Sequence, residues 1–218
     1  QIILGQHLRS GSRHRLGVRD GRIEVGERRL HRLHAAVKVH YGAPTVDFTG
    51  AMDAIHLKGI IAPLARVSYM LLGFPVPHSG RAVEFKVSNR VDDLGAMRWV
   101  RNFIENSSFP AGITFASRMV WSGDHRIIEY ARYGVGAEAV VSVDGEGSLV
   151  YDMRSYVVRI PVLGAIVRFP TWLSPFGRGS TKEIGETPES FRVEFEMTHP
   201  LFGRTLGYAG SCKIESTG

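Results

Sequence analysis

The sequence predicts an α+β fold: a curved antiparallel sheet or flattened β-barrel of about eight to ten strands, with one or two helices packed across it. Three observations carry this. From residue 81 onward, short runs of alternating polarity recur between turn signals spaced about 8 to 14 residues apart, the rhythm of an antiparallel meander rather than of βαβ units. Only two stretches, 29–41 and 63–72, carry apolar residues at helical spacing. The chain also closes on its clearest hairpin pattern, FRVEFEMTHPLFGRTLGYAGSCKI over residues 191–214.

The elements follow in order. Residues 1–28 form a basic arm holding Arg9, Arg13, Arg15, Arg19, Arg22 and Arg28, expected to be poorly ordered or to form a small hairpin around Asp20-Gly21. Residues 29–218 then read as one β-rich domain. Leu30, Leu33, Val37 and Tyr41 make a helical stripe over 29–41, ended by Gly42-Ala43-Pro44. A strand over 46–57 follows, with Gly50 expected as a kink or bulge. The helix over 63–72 has Pro63 in its first turn and is apolar nearly all round, the pattern of a helix buried on a sheet or of a lid over a lipophilic cavity. Strands are expected over 81–91, 96–105, 113–121, 126–133, 137–143 and 149–160. Residues 161–175, rich in proline, read as a crossing loop or short helix, and 177–188 as a polar loop. In the closing hairpin Phe191, Val193, Phe195 and Met197 point one way, and Arg192, Glu194, Glu196 and Thr198 the other. His199-Pro200 stops that strand, because proline cannot donate to a ladder.

Composition narrows the function classes. The chain has 218 residues, 44% hydrophobic and 22% charged, so it can bury a sizeable core without staples. Its single cysteine, Cys212, excludes an intrachain disulfide and any multi-cysteine metal site, and its place on an apolar face reads as a buried thiol. The formal charge is +6, concentrated in the arm, where no aromatic residues interleave the arginines as a base-stacking platform requires. Specific nucleic-acid binding is therefore not expected, while contact with an anionic membrane surface stays open. The start QIILGQHLRSGSRHR has too short an apolar run for a secretory signal, and the stretch 60–74 is too interrupted to span a membrane. The expected location is cytoplasmic.

Candidate site residues are charges placed on apolar strand faces, where a charge is costly unless paired. Arg101 shares a face with Met97, Trp99 and Phe103, while Glu129 shares one with Ile127, Ala131 and Tyr133. Arg118 stands between Ala116 and Val120. Arg101 and Glu129 are expected to pair. The ligand-binding set is Arg101, Glu129, Trp99, Arg118 and Tyr133; the acid–base candidates are Glu129, Tyr130 and His199. No phosphate loop, nucleophile elbow or HExxH motif is present, and no metal site or cofactor is expected.

Arg32-Leu33-His34-Ala35-Ala36-Val37, His40-Tyr41-Gly42, Gly50-Ala51-Met52-Asp53, Arg101-Asn102-Phe103, Glu129-Tyr130, Thr198-His199-Pro200-Leu201-Phe202-Gly203 and Gly207-Tyr208-Ala209-Gly210 together resemble a bacterial domain-of-unknown-function family, over about residues 28–215. The closing HPLFG…GYAG pattern is its most specific part. Ala35 stands where the family usually has a proline after the histidine. The resemblance implies a bacterial accessory domain whose relatives often follow a saccharopine-dehydrogenase-like NAD(P)-binding module or adjoin membrane segments. It transfers no catalytic role.

Three readings follow. The first is a binding or accessory domain for a hydrophobic small molecule with a polar or acidic head. The second is a cofactor-independent cyclase or isomerase using acid–base groups in the sheet cavity. The third is a structural or membrane-surface module. Whether the chain is an enzyme stays open, and a barrel filled by its own side chains would exclude the first reading.

Overall fold

A computed structural model describes residues 17–19, 22–24, 33–74, 76–106, 109, 112–160, 162 and 164–217. The arm over 1–28 lies outside them, save for two short strands. These are β1 (Gly17–Arg19) and β2 (Arg22–Glu24), paired antiparallel as the hairpin around 20–21 requires. Next come α1 (Ala35–Gly42), β3 (Thr45–Leu57), α2 (Ala62–Leu72), β4 (Gly80–Val91), β5 (Met97–Phe103), β6 (Ile113–Gly123) and β7 (Arg126–Tyr130). The rest are β8 (Val135–Val143), β9 (Leu149–Ile160), β10 (Ala165–Pro170), β11 (Arg178–Thr187), β12 (Ser190–His199) and β13 (Gly203–Thr217).

Strand alternation builds a closed antiparallel barrel of 10 strands, ordered β9-β11-β12-β13-β3-β4-β5-β6-β7-β8 with β8 returning to β9. Phe191, Val193, Phe195 and Met197 face inward as their spacing demands, while Arg192 reaches outward to Asp53 at 2.7 Å. Closure is uneven. β9 pairs with β11 only through residues 149–152; from Ser155 to Ile160 that edge is taken by β10, which lies outside the ring. Beyond the short pairing the Tyr156 hydroxyl donates to the Gly177 carbonyl at 3.0 Å, holding the seam together. Eight strands make a barrel that side chains can just fill, and ten leave room.

The two helices occupy opposite ends. α1 plugs one end, its Ala36, Val37, His40 and Tyr41 buried. The His40 ring stacks on Phe191 (centroids 4.9 Å apart) and meets Phe48 edge-on. Burying a side chain such as Phe191 is worth about 1.5–3 kcal/mol. α2 lies over the other end, and its C-cap Gly73 takes φ 74°, a conformation glycine supplies without steric cost.

Several expectations need correction. α1 begins at Ala35, because His34 is extended and Leu33 is already buried outside the helix; residues 29–32 of the expected helix lie outside the described residues. Gly50 is not a bulge: it pairs regularly with Cys212 and Phe85, and a Cβ there would meet the Phe85 ring at 2.7 Å. Two register shifts with β13 lie on either side of it, one between Met52 and Ala54 and one between Asp47 and Phe48. α2 is not buried all round; only Ala65 is fully covered. Residues 161–175 contain strand β10 and a 3-10 turn, Thr171–Leu173. The polar loop expected over 177–188 is strand β11. Its inward residues, Gly179, Thr181 and Glu183, are small or polar because they line a cavity, which removes the hydrophobic half of the alternation signal.

Candidate functional site

Inside the barrel lies a cavity of about 150 Å³. A mouth chamber of about 270 Å³ under α2 shares Phe74, Phe115, Glu129, Ala137 and Tyr156 with it, so the two adjoin. Leu64, Ser68 and Leu72, four residues apart on α2, face this chamber. The walls are mostly aromatic and aliphatic, with two polar groupings.

The first grouping lies on the wall of β5, β6 and β7. Arg101 Nη2 donates to Glu129 Oε1 at 3.1 Å and Nη1 to Ser117 Oγ at 3.0 Å; the Ser117 hydroxyl donates to the same Glu129 oxygen at 2.5 Å. The guanidinium also lies 4.3 Å over the Trp99 ring and 4.8 Å over Phe115, contacts that favour a cation in a desolvated site. The triangle is internally matched, guanidinium against carboxylate.

The second grouping forms the floor, beneath α1. Glu183 accepts from the Tyr41 hydroxyl at 2.7 Å. His40 Nδ1 lies 3.3 Å from Glu183 Oε2, an ion-pair distance without hydrogen-bond alignment. Around it, His40 Nε2, Trp99 Nε1, the Tyr151 hydroxyl and Glu183 Oε2 are buried with no hydrogen-bond partner. Burial, and then the Glu183 charge, hold the Tyr41 and Tyr151 phenols well above the ordinary tyrosine value, so both stay protonated. Burial likewise pushes Tyr208 and Tyr156 up to about 12, and raises the Cys212 thiol, which is 1% exposed and a poor nucleophile.

The sequence-derived candidates divide accordingly. Arg101, Glu129 and Trp99 come together in the cavity. Arg118 does not: it opposes Arg98 on the outer face and pairs with Asp92 at 2.7 Å. Tyr133 is 80% exposed, because the strand ends at Tyr130 and a 3-10 turn, Arg132–Gly134, carries it out of the barrel. Tyr130 packs outside with Ile128 and Val157. His199 sits at the end of β12, its Nε2 3.1 Å from the Trp172 carbonyl and its Nδ1 accepting from Leu201 N–H at 3.1 Å. Glu129, Tyr130 and His199 therefore do not converge. Sequence reasoning left out the floor: Tyr151 shares a face with Leu149 and Met153 and reads as core, and Glu183 lay in a stretch without apolar alternation. Among the described residues, no group of three or more His, Cys, Asp or Glu is placed to hold a metal.

A ring of segments surrounds the mouth. Lys58 Nζ donates to the Phe202 carbonyl, joining the start of α2 to the β12–β13 turn. His199 ties that turn to Trp172. Residues 174–176 line the chamber. Gly134 abuts Arg159, and Gly73 faces Arg132, returning to α2. On this ring Ile60, Val67, Met70, Leu71, Tyr133, Trp172, Leu173 and Leu201 are exposed, while Arg66, Arg132 and Arg159 make no ion pair among the described residues. Among those residues no helix is long and apolar enough to cross a membrane.

Among solved structures the chain is similar to the S-type phycobiliprotein lyase CPES from Guillardia theta, at 8% identity and a TM-score of 0.43, covering 91% of this chain and 96% of that one. No curated protein matches the sequence. A family model described as a domain of unknown function (DUF4166) matches residues 33–212, from the residue that leads into α1 to the cavity-lining cysteine of β13. The chain belongs to the DUF4166 family.

Proposed function

We propose that this barrel is a binding domain for a hydrophobic small molecule, taken in at the mouth under α2 and held along the axis. One observation carries the reading: an apolar cavity that adjoins the mouth chamber runs past a fully matched Arg101–Glu129–Ser117 grouping to a floor with unmatched polar atoms. An acidic head, one of the sequence-level options, fits poorly. Arg101 is already paired, and the lining holds two carboxylates, Glu129 and Glu183, against one guanidinium. Burying a further anion there would leave it unpaired. Native mass spectrometry of the protein as purified, with organic extraction of whatever accompanies it, tests the reading. A bound mass or displacement of a hydrophobic fluorophore is expected, and Ala139→Phe, which fills the cavity from its wall, should abolish either. A folded protein that takes up no apolar probe overturns it.

The mouth supports a second reading, an interface with an anionic membrane surface. Exposed side chains such as Met70, Trp172 and Leu201, at 74%, 60% and 83% exposure, stand beside Arg66, Arg132 and Arg159, which make no ion pair among the described residues. Such a rim would let an apolar ligand pass from bilayer to cavity without crossing water. Co-sedimentation with phosphatidylserine-containing vesicles, lost in Met70→Ser/Trp172→Ser, is the test; equal binding by that variant sinks it.

A further inference from the structure

We infer that the cavity floor is a hydrogen-bonding site for the uncharged oxygen function, hydroxyl or carbonyl, of the ligand, held by Trp99, Tyr151, His40 and Glu183. The inference rests on the reading that the barrel takes a hydrophobic molecule, and it names the end that enters first.

Buried polar atoms are almost always paired, so each exception needs a reason. Of the eight such side-chain atoms among the described residues, three belong to His34 and Asn89 outside the cavity lining and the other five cluster. His40 Nδ1 and Nε2, Trp99 Nε1, the Tyr151 hydroxyl and Glu183 Oε2 all lack a hydrogen-bond partner, and all four residues line the same cavity. Their side chains are close: the His40 and Trp99 ring centroids are 5.0 Å apart, with Tyr41 6.0 Å from Trp99 and 6.2 Å from Tyr151. The set is chemically mixed. The Trp99 indole can only donate, Glu183 Oε2 accepts, and the Tyr151 hydroxyl does either. A carbonyl oxygen would accept from Trp99 and Tyr151. A hydroxyl would accept from Trp99 and donate to Glu183. A carboxylate would lie against Glu183, and a hydrocarbon end would leave every group unpaired. Burial keeps the Tyr151 phenol protonated, which suits a donor.

Leaving a polar atom unmatched in a closed site costs more than a typical hydrogen bond returns in net stability. Such a cost borne by the empty protein is the expected trade of stability for binding. Ordered waters could occupy the same positions, and the experiment separates the two cases.

The experiment uses the full chain and four probes of one length, 2-nonanone, 2-nonanol, nonanoate and nonane, each displacing N-phenyl-1-naphthylamine. The ketone and the alcohol should bind about tenfold tighter than nonane, the effect of roughly one net hydrogen bond, and nonanoate should bind weaker than either. Trp99→Phe should erase most of the tenfold difference from nonane for both the ketone and the alcohol, and Tyr151→Phe most of it for the ketone, each judged against nonane binding to the same variant. Tyr151→Phe should barely lower the urea midpoint of the empty protein, whereas loss of a purely structural tyrosine would lower it clearly. It also carries the test should Trp99→Phe fail to fold. If only the alcohol gains, Glu183→Gln should reduce that gain, identifying Glu183 as the acceptor. Nonane binding as tightly as the ketone and the alcohol overturns the inference while leaving a binding barrel standing, as does a difference that survives both phenylalanine variants. Failure of every compound, the fluorophore included, overturns the cavity reading and this inference with it.

Discussion

Glu138 and Glu183 are buried to nearly the same depth, 1% and 2% exposed, in surroundings of different kinds. Glu138 on β8 points outward beneath β10. It accepts from Arg168 Nη2 at 2.9 Å and Nε at 3.2 Å, from Arg126 at 3.3 Å, from Ser122 at 3.2 Å and from Ser155 at 3.5 Å. Both its oxygens are in use. Glu183 on β11 points inward, with one good bond from Tyr41 and a second oxygen left over beside other unmatched atoms. A saturated buried carboxylate fastens two parts of the chain together, here the flanking strand β10 to the barrel wall. An unsaturated one keeps capacity for something that enters.

That contrast predicts opposite responses to the same chemical change. Glu138→Gln removes a charge that two arginines and two hydroxyls are arranged around, and should cost about 2–3 kcal/mol of unfolding free energy. Glu183→Gln keeps an acceptor for Tyr41 and gives up only the unaligned contact with His40, so its cost should stay under about 1 kcal/mol. Equal losses in urea denaturation would break the distinction. The tyrosines of the floor should split in the same way at smaller scale. Tyr41→Phe strips Glu183 of its bond and should cost about 1–2 kcal/mol, whereas Tyr151→Phe removes a hydroxyl whose contact with the Tyr41 hydroxyl lacks hydrogen-bond alignment and should cost under about 0.5 kcal/mol.

Acid should sharpen the comparison further. Hydrogen bonds from Arg168, outweighing desolvation, hold the Glu138 carboxyl below its ordinary value. A depressed folded-state pKa means that the unfolded chain binds more protons, so stability rises with pH. The contribution is fully present above the unfolded value of about 4.3 and is lost as pH falls through the lower folded one. Between pH 6 and pH 3 the urea midpoint of the wild type should therefore fall more than that of Glu138→Gln. Asp92, lowered by its bond from Arg118, adds to the fall in both proteins and cancels in the difference. Parallel curves would show that the outer cluster contributes nothing through ionisation.

How much of this the sequence disclosed depends on which side of the wall a residue faces. Wherever a strand separates an apolar interior from water, alternation is visible, and β4, β5, β6, β9 and β12 were legible to within a few residues. Arg101 and Glu129 were legible for the same reason, as charges breaking an apolar face. The pattern gives parity but not sidedness once both faces are partly covered. Tyr130 and Arg118 have polar or aromatic side chains on well-formed strands, yet the first lies outside with Ile128 and the second is tied to Asp92. β11 was missed because lining a polar floor with Gly179, Thr181 and Glu183 gives no hydrophobic period at all. His40 stands beside Tyr41, next to the helix stripe rather than in it, and only the family pattern His40-Tyr41-Gly42 singles it out. Its neighbour Glu183 is 143 positions away, and a pairing over that separation depends on how the barrel closes.

The smallest effect on stability is expected at the mouth, and it marks the other limit of the comparison. α2 carries apolar side chains on both its faces, but only Ala65 is covered, and Leu64, Ser68 and Leu72 border the chamber. Met70 is 74% exposed and touches the ring from outside. A residue so exposed returns little burial energy, so Met70→Ser should change unfolding free energy by no more than about 0.5 kcal/mol. An identical substitution at Met197, 1% exposed on the inner wall, should cost several times that, about 2–5 kcal/mol for a large-to-small change in a core. If Met70→Ser is instead strongly destabilising, α2 is packed more tightly in solution than this barrel end shows, and the mouth is closed. If it is neutral and vesicle binding falls, the apolar rim is retained for what it meets, in the way the floor retains its unmatched atoms.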